Sequence, residues 1–456
     1  MLKAGPQYPI RVSGPAQDLI VSNFWSCFVT WDIKIALRLT PALAVLLVSA
    51  CASSPRVPAG PGAVGAASTG PAGGSTGGSS SSAGNSGTSG GSGSGSTTGT
   101  SSASNAAYVY VSSTPQNGSV HQIAAYTAAA NGALTPVAGS PFQEDVTSLA
   151  ADGSQLFAVN SDGYDVESYS IGSDGALAHE TTTHVSTSGD CNTLGQLFVD
   201  RSGASLYALN YRGSGCANNN FESLSINSST GALTDLGGSA GNNWLSNPAS
   251  FSGNDRYAYS ASCVSDMYWG IYGFSRGSGG LLNQIQITAA PPAAPSGMFY
   301  CPSATATDGT GDVAIAMQPV SQGSFSAAGA AQIATYTIAS NGNLTAIGSA
   351  AAMPQAPVGT VSDLKISADG TLLAVSGSGG LEVMHFSAGG ATALTGLLTK
   401  DAIDQCFWDK QNHLYAISKA AGKLYVFTVS SSGAVAAPGS PYAVSQPGNL
   451  AVESAQ

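Results

Sequence analysis

A unit of four short strands, repeated along the chain, is the feature that most limits how this sequence can fold. The clearest copy spans residues 132–177, and its four apolar runs lie at 134–137, 147–151, 155–160 and 165–171. Asp-Gly pairs begin at positions 152, 162 and 174. Such pairs close tight hairpins, because Gly adopts positive φ and Asp hydrogen-bonds to its own backbone. The unit therefore predicts four antiparallel strands.

The same unit recurs along the chain. A Gly turn before the outermost strand marks it seven times, at positions 132, 175, 231, 279, 342, 390 and 433. A spacing of roughly 50 residues is typical of radially arranged sheets. The strand at 108–113 lacks an inner partner, which residues 449–453 can supply. We therefore predict an all-β, seven-bladed β-propeller closed by its N- and C-terminal strands, because closure removes exposed sheet edges.

The chain before residue 106 lacks this repeat. Residues 1–31 stay unassigned and suggest a start codon placed too early. Residues 32–51 have the pattern of a signal peptide, with basic residues before an apolar stretch too short to cross a membrane comfortably. Residues 52–105 are rich in Gly, Ser and Thr, which predicts a disordered, flexible linker. A tolerated low-complexity insertion is the alternative. The propeller occupies 106–456.

Val48-Ser49-Ala50-Cys51 resembles a bacterial lipobox. The resemblance implies that Cys51 carries lipid and holds an exported protein at the cell envelope, in the outer membrane if the cell has one. The alternative is an ordinary secretory signal with a chance cysteine.

Composition limits the classes of partner. Only 9% of the 456 residues are charged, and the formal net charge is −11. An acidic surface repels nucleic acid, so we expect no nucleic-acid partner. The Asp-Gly turns lack EF-hand spacing, and the five His form no zinc-like pair. We expect no metal and no cofactor, and a monomer.

The segment at 132–142, Gly-Ala-Leu-Thr-Pro-Val-Ala-Gly-Ser-Pro-Phe, has an echo at 433–442, and Asp-Gly segments followed by apolar runs stand at 152 and 369. These segments resemble the lactonase-type seven-bladed propellers, the group of 6-phosphogluconolactonase and the YVTN-repeat surface proteins. The resemblance covers about 107–456 and implies the same fold. Enzymes of that group carry a Y-V-x-N-E strand and an S-N-R-G segment. The first is Phe-Ala-Val-Asn-Ser here, without the Glu, and Arg212-Gly213 partly echoes the second.

Loops that join outermost to next innermost strands, and second to third strands, share one face of a propeller. The charged residues they carry here are Glu144, Asp145, Asp162, His184, Asp190, Arg212, Asp266, Lys400 and Asp404. A hydrolase needs a base to activate water, which His184 or Asp190 would supply, and a cation such as Arg212 for a carboxylate. The candidate binding residues are Asp145, Asp162, Asp266 and Asp404. The alternative for each is a solvated charge or a turn former.

Five cysteines follow Cys51. An exported protein can keep disulfides. Placement on the blades predicts the pairs Cys191–Cys216 and Cys263–Cys301, with Cys406 left over. Free thiols are the alternative, which the odd count leaves open.

Two functions follow from these observations. The first is a binding or surface-interaction module, with a small carbohydrate-like ligand or a cell-surface protein as partner and the membrane reached through the N-terminal lipid. The missing Glu and the linker favour it. The alternative is a lactone hydrolase that opens a cyclic ester at the channel mouth, which the family resemblance and Arg212 favour.

Overall fold

The computed structural model describes residues 105–113, 120–185, 192–212, 221–238, 245, 247–263, 269–289, 291–322 and 326–455. Apart from a short 3-10 helix, Ala350–Ala352, the regular elements of these residues are β-strands. No helix within the described ranges has the length and apolar character that a membrane span requires.

The strands form seven antiparallel sheets, numbered here as blades 1 to 7. Blade 1 contains β1 (Ala107–Ser113), β2 (Ile123–Ala128) and β3 (Leu134–Pro136). Blade 2 contains β4 (Val146–Asp152), β5 (Gln155–Asn160), β6 (Asp165–Ile171) and β7 (Leu177–His184). Blade 3 contains β8 (Asn192–Val199), β9 (Ser205–Arg212), β10 (Phe221–Ile226) and β11 (Leu233–Gly238). Blade 4 contains β12 (Ser250–Phe251), β13 (Tyr257–Cys263), β14 (Trp269–Arg276) and β15 (Leu282–Ala289).

The remaining strands follow the same order, from innermost to outermost. Blade 5 contains β16 (Met298–Thr307), β17 (Asp312–Ser321), β18 (Ala331–Ile338) and β19 (Leu344–Ile347), with β20 (Gln355–Ala356) paired to β18. Blade 6 contains β21 (Val361–Ile366), β22 (Leu372–Gly377), β23 (Gly380–Ser387) and β24 (Gly390–Ala393). Blade 7 contains β25 (Gln405–Trp408), β26 (His413–Ser418), β27 (Lys423–Ser430) and β28 (Gly433–Ala436), with β29 (Tyr442–Ala443) paired to β27. The last strand, β30 (Pro447–Ser454), completes blade 1.

The two ends of the propeller meet in blade 1. Strand β30 pairs antiparallel with β1, from Ala107 opposite Ser454 to Val111 opposite Leu450. The innermost strand of the first blade therefore comes from the C-terminus. The predicted seven-bladed propeller, closed by its first and last strands, is confirmed.

Apolar side chains are buried between the blades, and not within a single central core. Seven clusters of buried residues occupy the described part of the chain, one between each pair of neighbouring blades. Between blades 1 and 2, the rings of Tyr110 and Tyr169 pack with Leu156, and each of these side chains is at most 2% exposed. This arrangement follows from the period-2 alternation of the strands, which gives each sheet two faces to bury.

The Gly turns before the outermost strands also serve this packing. Gly175 has a φ of 83°, in the left-handed region that favours glycine. A Cβ atom there would lie 2.9 Å from the ring of Tyr108, in the neighbouring blade. Gly175 is therefore required both by the turn and by the close approach of blades 1 and 2.

Side chains of the innermost strands also link neighbouring blades through a set of hydrogen bonds, which we call the girdle. In each of these hydrogen bonds, a side-chain oxygen on one innermost strand accepts from a backbone amide on the innermost strand of the following blade. The pairs are Leu197 N to Ser148 Oγ (2.9 Å), Cys406 N to Asp363 Oδ2 (3.1 Å), Leu450 N to Gln405 Oε1 (2.9 Å) and Leu149 N to Asn449 Oδ1 (3.0 Å). The girdle satisfies amides that the sheet ladders leave free at the channel wall.

Among the residues that the structure describes, one covalent link joins two blades. Cys263, at the end of β13, and Cys301, in β16, form a disulfide with their Cα atoms 5.4 Å apart. This is one of the two pairs that the sequence predicts. Cys406 lies buried in β25 with a free thiol.

Candidate functional site

The innermost strands of the seven blades enclose a central cavity of about 480 Å³. Residues from β4, β8, β12, β16, β21, β25 and β30 line it. We call the face that carries the loops between second and third strands the upper face. The innermost strands run from this upper face to the lower face.

Much of the cavity wall consists of hydroxyl and amide side chains. The polar, uncharged residues that line it include Gln196, Asn247, Ser250, Ser303, Thr305, Ser362 and Gln405. Asn247 Nδ2 donates to the backbone oxygen of Ser303 at 2.9 Å, and Ser250 Oγ donates to Thr305 Oγ1 at 3.0 Å. The Ser303 hydroxyl itself is buried without a hydrogen-bond partner in the protein. The wall therefore suits a polar ligand better than an apolar one.

A carboxylate and an ammonium group lie side by side on β21. Lys365 Nζ is 3.5 Å from Asp363 Oδ1 and 5.0 Å from the centre of the Phe407 ring. Asp363 is held by backbone amides, from Cys406 to Oδ2 and from Leu364 to Oδ1 at 2.8 Å. An ammonium group has three donors, and the Lys365 side chain is 33% exposed. Lys365 can therefore still donate to a ligand in the cavity.

A second pair of charged residues stands at the upper rim of the cavity. Asp404 immediately precedes β25, and Lys419 immediately follows β26. The backbone amide of Lys419 donates to Asp404 Oδ2 at 2.8 Å, which fixes the carboxylate at this rim. Of the candidate residues derived from the sequence, Asp404 is the one that lines the central cavity within the described residues.

The lower end of the cavity is built differently. Asp200 is fully buried and pairs with Arg276 of blade 4 at 2.7 Å. Burial raises the pKa of Asp152, and the negative charges of Asp200 and Asp255 raise it further. These carboxyl groups stand at the turns between first and second strands, where they support the packing of blades.

Two other predicted binding residues meet in a separate pocket on the upper face of blade 2. Its volume is about 430 Å³, and both Asp145 and Asp162 line it. Ser161 Oγ donates to Asp145 at 2.7 Å, and the Tyr164 amide donates to Asp162 at 3.0 Å. The two residues thus line the same pocket, and each carboxylate also accepts a hydrogen bond from a neighbouring residue.

The predicted catalytic residues are placed as follows. His184 is exposed on β7, the outermost strand of blade 2, and its Nδ1 lies 2.7 Å from Asp165 Oδ1. It does not line the central cavity. Arg212 ends β9, where its backbone pairs with Asn192. The Arg212 side chain, and the residues Cys51, Asp190, Cys191, Cys216 and Asp266, lie outside the described part of the chain.

Sequence reasoning missed Lys365 and Lys419. The one signal available for both was their scarcity, because the chain has only 14 basic residues. Within the described ranges, no group of three or more His, Cys, Asp or Glu side chains is arranged to hold a metal ion.

No protein-family model and no curated protein sequence matches the chain. Solved structures do match it. A proposed 6-phosphogluconolactonase from Bacteroides fragilis is 15% identical with a TM-score of 0.56, over 77% of this chain and 99% of that one. The periplasmic gluconolactonase of Pseudomonas aeruginosa is 16% identical with a TM-score of 0.56, over 77% and 99%. A proposed 6-phosphogluconolactonase from Bacteroides uniformis is 13% identical with a TM-score of 0.54, over 76% and 100%. The chain therefore has the fold of the lactonase-type seven-bladed propellers.

Proposed function

We propose that this protein is an exported propeller that binds a small, polyhydroxylated ligand in its central cavity. One observation carries the proposal: a cavity of about 480 Å³ is walled by the innermost strands of the seven blades and lined with hydroxyl, amide and charged groups. Small-molecule sites have volumes of roughly 300–1,000 Å³. A ligand rich in hydroxyl groups matches the many donors and acceptors of the wall.

The charged residues favour a ligand with an acidic group. Lys365 in the wall and Lys419 at the upper rim both line the cavity, and each carries an ammonium group. Asp363 Oδ2 is engaged by the Cys406 amide, and Asp404 Oδ2 by the Lys419 amide. A sugar acid would place its carboxylate near an ammonium group and its hydroxyls against the side-chain amides and hydroxyls.

Export to the cell envelope is part of the proposal. The lipobox-like segment ending at Cys51 supports it, and so does the disulfide between Cys263 and Cys301, because disulfides persist in oxidising compartments. The matching protein from Pseudomonas aeruginosa is described as periplasmic. A lipid on Cys51 and a flexible segment over 52–105 would hold the propeller roughly 40 Å from the membrane.

Lactone hydrolysis is the second candidate function. The observation that favours it is the position of Asp404 and Lys419 at one rim of the cavity. Asp404 would accept a proton from water, which attacks the carbonyl carbon of a cyclic ester. Lys419 would stabilise the oxyanion until the ring C–O bond breaks and the leaving alkoxide takes a proton, giving a hydroxy acid.

Calorimetric titration with sugar acids and matched neutral sugars tests the binding function. We expect binding that Lys365→Ala weakens at least about tenfold, because a charged hydrogen bond contributes roughly 1.5–3 kcal/mol. Lys410→Ala is the matched control, since this exposed lysine lies at the turn that follows β25, on the lower face. Equal affinities in the two variants would contradict the proposed site.

A lactonase assay distinguishes the second function. The purified protein is given sugar lactones, and ring opening is followed by acid release. Turnover that Asp404→Asn abolishes while sugar-acid binding persists would establish the hydrolase. Binding without turnover would leave the protein as a binding module.

A further inference from the structure

The third strand of blade 3 carries a carboxyl group buried at the boundary with blade 2. Glu222 in β10 is 1% exposed. The next side chain on the same face, Leu224, packs in the apolar cluster between blades 2 and 3. A carboxylate at such a position costs free energy unless its charge is balanced or removed.

A single hydrogen bond joins Glu222 to Asn210, and it leaves one acceptor atom of each side chain unsatisfied. Asn210 Nδ2 donates to Glu222 Oε1 at 3.0 Å, and Asn210 is itself 6% exposed. Glu222 Oε2 and Asn210 Oδ1 are buried without a partner. Both of these atoms are acceptors, and they belong to the two groups that already share one hydrogen bond. A single proton on Oε2 would supply the donor that both atoms lack.

We propose that Glu222 is a neutral carboxylic acid that donates its proton to Asn210 Oδ1, so that the two side chains form a closed pair with two hydrogen bonds. The pair joins the end of β9 to the start of β10, the two strands that the upper connection of blade 3 links. It acts as a proton-dependent clasp at the base of that connection. Deprotonation places a charge in the apolar boundary and leaves the Asn210 oxygen without a donor.

The surroundings of the pair favour the neutral acid. Burial raises the pKa of Glu222 to about 7, against a smaller lowering by the Asn210 hydrogen bond, and the negative charge of Asp235 on β11 adds to the rise. The facing strands β5 and β6 of blade 2 contribute apolar side chains to this boundary, from Phe157, Val159 and Val166. Glu180 of blade 2 lies instead against Gly231, beyond the other end of β10.

Glu382 provides a matched comparison. It occupies the corresponding third-strand position in blade 6, is 3% exposed, and also has an Oε2 atom without a partner. Burial raises its pKa to about 7 as well. No amide side chain bonds to it among the described residues, so deprotonation of Glu382 breaks no such pair.

Hydrogen exchange of the full-length protein between pH 5 and pH 9 tests the clasp. For the wild type, we expect protection of the amides in β9 and β10 to fall by roughly 100-fold over this range, after correction for intrinsic exchange, because the clasp is lost as pH rises through about 7. Glu222→Gln keeps both hydrogen bonds, since its amide nitrogen donates to Asn210 Oδ1, and it should abolish this fall. Glu382→Gln is the control and should leave the fall in β9 and β10 unchanged.

A fall of the same size in Glu222→Gln would overturn the proposal. If the Glu222→Gln variant does not fold, a second measurement on the wild type tests the proposal. This measurement is a high-resolution crystal structure at pH 6. The proposal requires Glu222 Oε2 within hydrogen-bond distance of Asn210 Oδ1, with unequal C–O bond lengths in the carboxyl group. A water molecule or a cation between the two oxygens would contradict it.

Discussion

The side-chain oxygen of Asn449 accepts a hydrogen bond of 3.0 Å from the backbone amide of Leu149, a residue 300 positions earlier in the chain. Asn449 lies in β30 and Leu149 in β4, so the bond links the innermost strands of blades 1 and 2. Together with the pairing of β30 and β1, it makes the C-terminal strand an integral part of the ring. The closed ring defines the central cavity, and its stability is therefore a condition for any ligand site there.

Removing the Asn449 side chain should destabilise the whole propeller. Asn449→Ala leaves the buried Leu149 amide without an acceptor, and we expect a loss of about 1–3 kcal/mol in the free energy of unfolding. Urea unfolding followed by fluorescence measures this loss. Asn131→Ala is the control, because Asn131 accepts a similar bond from the Ala133 amide in an exposed turn. If both variants lose the same free energy, the girdle does not have the proposed role.

The disulfide between blades 4 and 5 should contribute more than any one hydrogen bond. Cys263 and Cys301 are separated by 38 positions. Closing a loop of this size stabilises the native state by about 4 kcal/mol in the chain-entropy model. We expect Cys263→Ser with Cys301→Ser to lose stability on that scale, and a reducing agent to destabilise the wild type without further effect on the double variant. An unchanged unfolding midpoint for the wild type in reductant would contradict this.

Acid should weaken the boundary between blades 6 and 7 through Asp369. Burial raises the pKa of this carboxyl, but hydrogen bonds from Ser367, the Thr371 amide and Asn412 outweigh it and lower the pKa to about 2. Because the folded-state pKa lies below the unfolded value of 3.8, the stabilisation is present above about pH 4 and is lost as pH falls through about 2.

Asn412→Ala tests this, because Asn412 Nδ2 donates to Asp369 Oδ2 at 3.1 Å across the two blades. Without that bond, acid unfolding should begin at a higher pH. Chemical-denaturant midpoints between pH 2 and pH 5 measure the shift, and superimposable wild-type and variant profiles would exclude the role given to Asn412.

The buried carboxyl of Glu382 should destabilise the protein in alkali. Its pKa is raised by burial to about 7. The folded-state pKa exceeds the unfolded value, so the favourable contribution is complete below about pH 4.5 and is lost as pH rises through about 7. Glu382→Gln should therefore be more stable than the wild type at pH 8, by about 1–2 kcal/mol, and less different at pH 4.5. A constant difference across this range would show that Glu382 does not titrate as described.

Local patterning predicted the fold well. The seven Gly turns before the outermost strands and the strand at 449–453 were enough to predict seven blades and their closure, since turn chemistry and period-2 alternation are local properties of a sequence. The cavity was harder to predict. Asp404 lies next to an innermost strand and was found, whereas Lys365 lies within one, where a charged residue has no distinctive spacing.

The buried carboxyl groups were missed for a related reason. The sequence around Glu222 and Glu382 alternates like any strand with a polar face, but in a propeller both faces of a blade are covered by neighbours. Which polar position becomes buried depends on the packing of blades that are distant in sequence, and that packing is visible only in three dimensions.

The most direct test of the ligand site is a crystal structure of the protein soaked with the sugar acid that binds most tightly in calorimetry. The account predicts density in the central cavity, with the carboxylate of the ligand within hydrogen-bond distance of Lys365 or Lys419. Density confined to the pocket beside Asp145 and Asp162, or a cavity that holds only water at saturating ligand, would contradict it.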